Sequence, residues 1–285
     1  MNPWCRIPVR SAVLAGLAAC LAVTAPAETL AEKSLVEIAE RQRDIFVRAE
    51  KDGDHLDEAA LRGELESLIK SYDVLIQKNP DFALAFGGYG MFLGKIGMTK
   101  EAVIMLLRAN KLDPGLPEVK NQIAVHLAED GRPVDALPWV TAAIDLEPNK
   151  ALYHFHLGEL LAAGRGDFLK TGQFDDSKLD QTLLDAFQKA AELSPRDFPI
   201  AYRHAKAYYD LAVPRWAEAL PVWEKVEDLA ATDAQRQLVR LQRANVLLKL
   251  GRPVEAKLLL DSVTSQEFAA EKKTLLDGLP KPEEK

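Results

Sequence analysis

Three prolines recur at an interval of 34 residues in the middle of this 285-residue chain. They are Pro80, Pro114 and Pro148, and the residues around them keep the same register. A strict period of this length indicates an array of similar units, each of which buries its apolar face only against its neighbours. The same interval relates small or apolar residues, namely Gly90, Ala124 and Gly158; Gly97 and Gly131; Ala102 and Ala136; Ala109 and Ala143; Leu112 and Leu146.

Each unit is predicted to contain two helices. Proline ends the second helix because it lacks an amide hydrogen and disfavours helical geometry in the residue before it. A left-handed glycine ends the first helix, at Gly97 and Gly131. Small residues at fixed offsets and a proline that closes each 34-residue unit resemble the tetratricopeptide repeat. This resemblance implies an all-α solenoid, a right-handed superhelix of antiparallel helix hairpins whose first helices line a concave groove, and it does not imply an enzyme.

The pattern divides the chain into segments. Residues 28–80 are predicted to form a divergent helical hairpin, residues 81–264 the tetratricopeptide repeats, and residues 265–285 a capping helix and a tail. The third unit is too long, because Pro148 and Pro195 are 47 residues apart instead of 34. The surplus lies at residues 165–177, where glycine and aspartate cluster, and is predicted to be a protruding loop.

Residues 1–27 have the pattern of an export signal. Arg6 and Arg10 precede an apolar stretch over 12–23, and Ala25 and Ala27 form a small-x-small cleavage site. Twelve apolar residues span only about 18 Å as a helix, too short for a hydrocarbon core of roughly 30 Å. We therefore expect an exported protein, periplasmic or secreted, that begins at Glu28 and has no membrane span. A buried N-terminal helix is the alternative.

Both cysteines, Cys5 and Cys20, lie inside this leader, so the mature chain would have no thiol and no disulfide. The four residues that end at Cys20 resemble a bacterial lipobox. The alternative is therefore an outer-membrane assembly lipoprotein that is lipidated at Cys20. Free export is favoured because the apolar stretch continues through Val23, whereas a polar tether normally follows a lipidated cysteine.

Charge argues against nucleic acid as a partner. The chain has 36 Lys and Arg against 43 Asp and Glu. Loss of the leader removes Arg6 and Arg10 and no acid, which leaves 34 against 43, a net charge of −9. A protein that follows phosphates needs a concentrated basic face, and no run of Lys or Arg supplies one.

Residues with catalytic or metal-binding potential are sparse. No two of the five histidines lie at the i, i+4 spacing that places both on one helical face, and no cysteine remains to complete a zinc site. Nucleophile elbows and phosphate-binding loops are absent. Residues 165–177 could in principle hold a catalytic insert, but they contain no histidine, cysteine or glutamate. The sequence predicts no catalysis, no metal and no cofactor.

The candidate partner site lies on the first helices of the last two units. In an acidic chain, a local cluster of cations, amides and aromatic rings suits an extended peptide that carries carboxylates. The alternative is a set of solvated groove residues whose aromatic rings pack against the neighbouring unit. The expected partner is a protein or peptide of unknown identity. The candidate residues are Tyr202, Arg203, Lys206, Tyr209, Asn245 and Lys249.

Overall fold

The computed structural model describes residues 29–279. The predicted signal peptide, Cys20 and the tail over 280–285 lie outside this range. Within the described residues all regular structure is helical, with fourteen α-helices and two short 3-10 helices. The chain also divides into two larger compact units, each made of several repeats. The first unit ends at Pro148 and the second unit begins at Asn149.

The first unit contains three antiparallel helix hairpins. Side chains fix two of the helix starts: Thr29 and Glu32 form a capping box, and the Asp57 carboxylate accepts bonds from two backbone amides. The first helices of the two regular repeats are followed by Gly97 and Gly131, with φ of 83° and 75°, the left-handed conformation predicted for them. The helices are α1 (Leu30–Asp52), α2 (Glu58–Lys78), α3 (Ala83–Lys95), α4 (Thr99–Leu112), α5 (Pro117–Glu129) and α6 (Pro133–Leu146).

The small residues of the repeat mark close helix contacts in the first unit. A β-carbon at Gly90 would lie 2.7 Å from the side chain of Leu106. A larger residue at this position would therefore prevent the close approach of α3 and α4. Beside this contact, the rings of Tyr72 and Tyr89 stack with centroids 4.9 Å apart. The Tyr89 hydroxyl donates to Asp73 at 2.9 Å. The period predicted from the sequence therefore reflects the packing of neighbouring helices.

The second unit alternates first and second helices in the same way, with α7, α10 and α12 as the first helices and α9, α11 and α13 as the second. The terminal helix α14 packs against α12 and α13. The helices are α7 (Ala151–Ala163), α8 (Arg165–Lys170), α9 (Asp176–Leu193), α10 (Phe198–Ala207), α11 (Trp216–Asp228), α12 (Asp233–Lys249), α13 (Pro253–Asp261) and α14 (Ala269–Asp277).

The insertion is not the protruding loop predicted for residues 165–177. It forms helix α8, whose Phe168 is fully buried and lies edge-on to Phe174 with ring centroids 5.8 Å apart. The polar and glycine residues that suggested a loop have other roles. Asp175 caps α9 by accepting a bond from Lys178 N at 2.8 Å, and Gly172 takes a φ of 73° in the short connection.

Asp180 joins the insertion to the long turn after α10. This residue is only 5% exposed. Its carboxylate accepts backbone bonds from Ala212 N at 3.0 Å and Val213 N at 3.3 Å, and it forms an ion pair with Arg165 at the start of α8. The insertion and the turn between α10 and α11 are therefore held together by one buried carboxylate.

Candidate functional site

The structure brings the six predicted site residues together on two neighbouring first helices. Helix α10 and the turn that follows it carry Tyr202, Arg203, Lys206 and Tyr209, and α12 carries Asn245 and Lys249. Tyr209 links the two helices. Its hydroxyl donates to the backbone oxygen of Gln242 at 3.3 Å, and the Asn245 amide donates to the Tyr209 oxygen.

The two tyrosines form an aromatic wall against α11. Tyr202 lies edge-on to Trp223 and Tyr209 packs on Trp216, each with ring centroids 5.1 Å apart. Burial raises the pKa of both tyrosine hydroxyls, so both side chains are neutral and protonated at physiological pH. Both residues remain partly exposed. We call Tyr202, Tyr209, Trp216 and Trp223 the aromatic wall.

Arg203 is not the free cation that the sequence suggested. Its Nε donates to the carboxylate of Glu159, and its Nη1 lies 3.0 Å from Oδ2 of Asp210. The guanidinium also stacks on the ring of Phe187, at 4.3 Å from the centroid. One arginine is thus shared by two carboxylates and is only 19% exposed. Its positive charge is fully neutralised by the protein itself.

Glu159 is the site residue that the sequence analysis missed. Burial raises the pKa of its carboxyl group and the nearby Arg203 opposes this effect. The signal was nevertheless present in the sequence. Glu159 is the ninth residue of α7, the same position that Met91 and Val125 hold in α3 and α5. Glu159 also directly follows Gly158, which keeps the 34-residue register, so the register identifies this position.

Two charged groups at this site remain available to a partner. Lys206 and Lys249 are exposed, and within residues 29–279 no carboxylate lies at ion-pair distance from either ammonium. Asp210, in contrast, is paired with Arg203, and its Oδ2 is shielded from solvent. The site therefore offers two cations beside the aromatic wall.

The first helices of the first unit present no equivalent cluster in the described structure. A β-carbon at Gly87 would lie 3.0 Å from Val119, and one at Gly94 would lie 2.7 Å from the ring of His126. α5 therefore lies directly against these two glycines. The ammonium of Lys95 lies 3.9 Å from the centroid of the Phe46 ring and forms a cation–π contact with it. The charge of Lys95 is therefore engaged within the first unit. We therefore place the candidate site in the second unit.

Neither a metal centre nor a membrane-spanning element is found in the described part of the chain. Over residues 29–279 no group of three or more histidine, aspartate or glutamate side chains is arranged to hold a metal ion. Within the same range, every helix is too short or too polar to cross a lipid bilayer.

Part of the sequence is similar to a known repeat protein. A stretch of 103 residues is 34% identical to human tetratricopeptide repeat protein 13. The match covers 34% of this chain and 12% of the human protein, so this chain spans only a small part of that relative. No protein-family model matches the chain.

Similarity to the solved structure of PilW supports the fold. The crystal structure of PilW, a widely conserved type IV pilus biogenesis factor, superposes with a TM-score of 0.55 at 15% identity, over 82% of this chain and 98% of PilW. The crystal structure of MamA protein reaches a TM-score of 0.49 at 16% identity, over 69% of this chain and 95% of MamA. The predicted all-α, tetratricopeptide-type solenoid fold is confirmed.

Proposed function

We propose that this protein, an all-α chain of tetratricopeptide-type repeats, is a non-enzymatic scaffold that binds an extended segment of a partner protein. The proposed site is the face of α10 and α12 that carries Lys206 and Lys249, next to the aromatic wall. The observation that supports it best is the pair of exposed lysines on neighbouring first helices, since no carboxylate of the described chain pairs with either one. A partner segment that carries carboxylates would supply the missing counter-charges.

The surroundings of the lysines favour a peptide over a small anion. Tyr202, Tyr209 and Trp216 of the aromatic wall remain partly exposed, whereas Trp223 is fully buried behind them. The three exposed rings offer apolar surface with polar edges, which is the composition of the centre of protein interfaces. Tyr202 and Tyr209 are already fixed by Trp223 and Trp216, so binding would order few additional side chains. The half-buried ion pair between Arg203 and Glu159 joins α10 to α7 without using the lysines.

Charge reversal at the two lysines tests this proposal. A partner is first captured by crosslinking the mature protein in intact cells, and its affinity is then measured for the wild-type protein and for K206E/K249E. We expect binding to weaken more than tenfold, equivalent to about 1.4 kcal/mol. Helicity and melting temperature should not change, because both side chains are exposed.

The matched control is K189E/K225E, which makes the same change in net charge on the exposed faces of α9 and α11. The control should bind like the wild-type protein. If K206E/K249E retains full affinity, or if both double variants lose it equally, the lysines of α10 and α12 do not form the site.

We also propose that the protein acts in the bacterial envelope after export. Arg6, the apolar stretch over 12–23 and the Ala25 to Ala27 cleavage site support this. N-terminal sequencing of the protein recovered from cells should give Glu28 as the first residue. A blocked, acylated terminus at Cys20 would instead establish the lipoprotein alternative.

A further inference from the structure

We infer that the C-terminal helix α14 competes with the partner for the surface beside the aromatic wall, where Glu271 takes the place of a partner carboxylate. This inference rests on the proposed peptide-binding function and adds its regulation, because α14 has to move away before the partner binds fully. It depends on three observations: the hydrogen bond between Gln242 and Glu271, the effect of the Glu271 charge on the aromatic wall, and the weak attachment of α14.

Gln242 of α12 connects Glu271 to the aromatic wall. The backbone oxygen of Gln242 accepts the hydrogen bond from the Tyr209 hydroxyl at 3.3 Å. The side-chain Nε2 of the same residue donates to Oε1 of Glu271 at 3.1 Å. One residue of α12 therefore contacts both the wall and the C-terminal helix, which brings the carboxylate of Glu271 to the edge of the proposed site.

The negative charge of Glu271 acts on the wall itself. Burial is the largest cause of the raised pKa of the Tyr202 hydroxyl, and the charge of Glu271 raises this pKa further. The same charge contributes to the raised pKa of Tyr209, after burial. A Coulomb interaction weakens with distance, so the carboxylate lies near both tyrosines. A partner carboxylate that approaches the wall is therefore repelled by Glu271 for as long as α14 stays in place.

Helix α14 is held weakly. None of its nine residues is buried, whereas each of the other thirteen α-helices in residues 29–279 buries at least one side chain. Two side-chain hydrogen bonds attach it to the preceding repeat, the one from Gln242 to Glu271 and one from Lys272 Nζ to the backbone oxygen of Val263 at 2.7 Å. A helix of this length is marginal by itself, and terminal elements with few buried contacts open at a low cost in free energy.

The alternative role for α14 is a cap that covers the apolar end of the repeat array. A cap stays in place when the partner binds, whereas a competitor has to leave. The two roles also differ in their effect on affinity. If α14 competes, the observed affinity is the intrinsic affinity reduced by the fraction of molecules in which α14 is open. Any change that detaches α14 should then strengthen binding.

Two variants of the full-length protein test the competition. The probe is the crosslinked segment of the captured partner, prepared as a synthetic peptide, and its affinity is measured by calorimetry. E271Q removes the charge, and Q242A removes the donor to Glu271 while it keeps the backbone oxygen that Tyr209 contacts. We expect each change to strengthen binding at least threefold. The control E267Q removes an exposed carboxylate just before α14 and should bind like the wild-type protein.

Hydrogen exchange separates displacement of α14 from simple charge repulsion. Saturation of the wild-type protein with the peptide should speed exchange of the backbone amides of residues 269–277 at least tenfold. Unchanged exchange would mean that α14 is a cap, and slower exchange would mean that it forms part of the binding surface. Either result would overturn the inference, and so would unchanged or weaker binding by Q242A.

The proposed function would survive these results, provided that K206E/K249E binds the peptide more weakly than the wild-type protein does. Full affinity of K206E/K249E would instead remove the proposed function, and with it the premise of this inference.

Discussion

Replacement of Asp180 by alanine is expected to lower the free energy of unfolding by about 3–5 kcal/mol. Asp180 is only 5% exposed, and its removal leaves the backbone amides of Ala212 and Val213 without this acceptor, while Arg165 keeps its ion pair with Asp176 at 2.9 Å. A hydrogen bond to a charged group contributes about 1.5–3 kcal/mol, so the loss of the two backbone bonds accounts for most of the expected effect. Urea unfolding followed by circular dichroism measures the effect.

The matched control for this change is D185A on the same helix. Asp185 is exposed and accepts one bond, from Gln181 at 2.7 Å, so its loss should cost less than about 0.5 kcal/mol. If D180A is as stable as D185A, water replaces the carboxylate at no cost and the insertion is not held by this residue.

Replacement of Gly158 by valine is the change with the second-largest expected effect, a loss of about 2–4 kcal/mol. A β-carbon at this position would lie 2.8 Å from three ring atoms of Phe187, which is fully buried. The ring cannot move without displacing the guanidinium of Arg203, which stacks on it at 4.3 Å. The variant should therefore also bind the captured partner more weakly, since α10 carries the proposed site.

Two further variants separate steric overlap from the general cost of valine in a helix. G166V places valine at a helical glycine of α8 where a β-carbon would meet nothing within 4 Å, so a much smaller loss is expected. F187L in the G158V background should restore part of the stability, because it removes the overlapping ring atoms. A G158V protein that is no less stable than G166V would show that the helices adjust freely.

The regular part of the fold was predictable because its determinants are local. Proline and left-handed glycine act on the backbone within one or two residues, so Pro114, Gly97 and Gly131 could be interpreted from the sequence alone. Helix α8 could not be predicted in this way. The glycines and aspartates of a loop are also those of helix ends, and the burial of Phe168 depends on packing that the sequence of the segment does not reveal.

The clustering of the candidate residues was predictable from the sequence, but the pairing of their charges was not. Helical spacing identified which residues of α10 share a face, and the structure does place Tyr202, Lys206 and Tyr209 on adjacent turns beside α12. Spacing within one helix cannot show every ion pair, because one of the two partners of Arg203 is Glu159, 44 residues earlier in the chain. Ion pairs between repeats depend on how neighbouring helices pack, and such distances appear only once the chain is folded.

The double attachment of Asp180 limits how far this protein can be treated as a set of modules. In an ideal repeat array each unit contacts only its neighbours through equivalent surfaces, so single units can be deleted, duplicated or exchanged. Here the carboxylate of Asp180 belongs to the third repeat, and two of its hydrogen-bond donors, Ala212 N and Val213 N, belong to the turn of the fourth repeat. A transfer of either repeat alone would leave behind a buried carboxylate or two backbone amides that have lost their acceptor. The smallest block that could be moved intact to another array runs from Ala151 to Asp228, from the start of α7 to the end of α11.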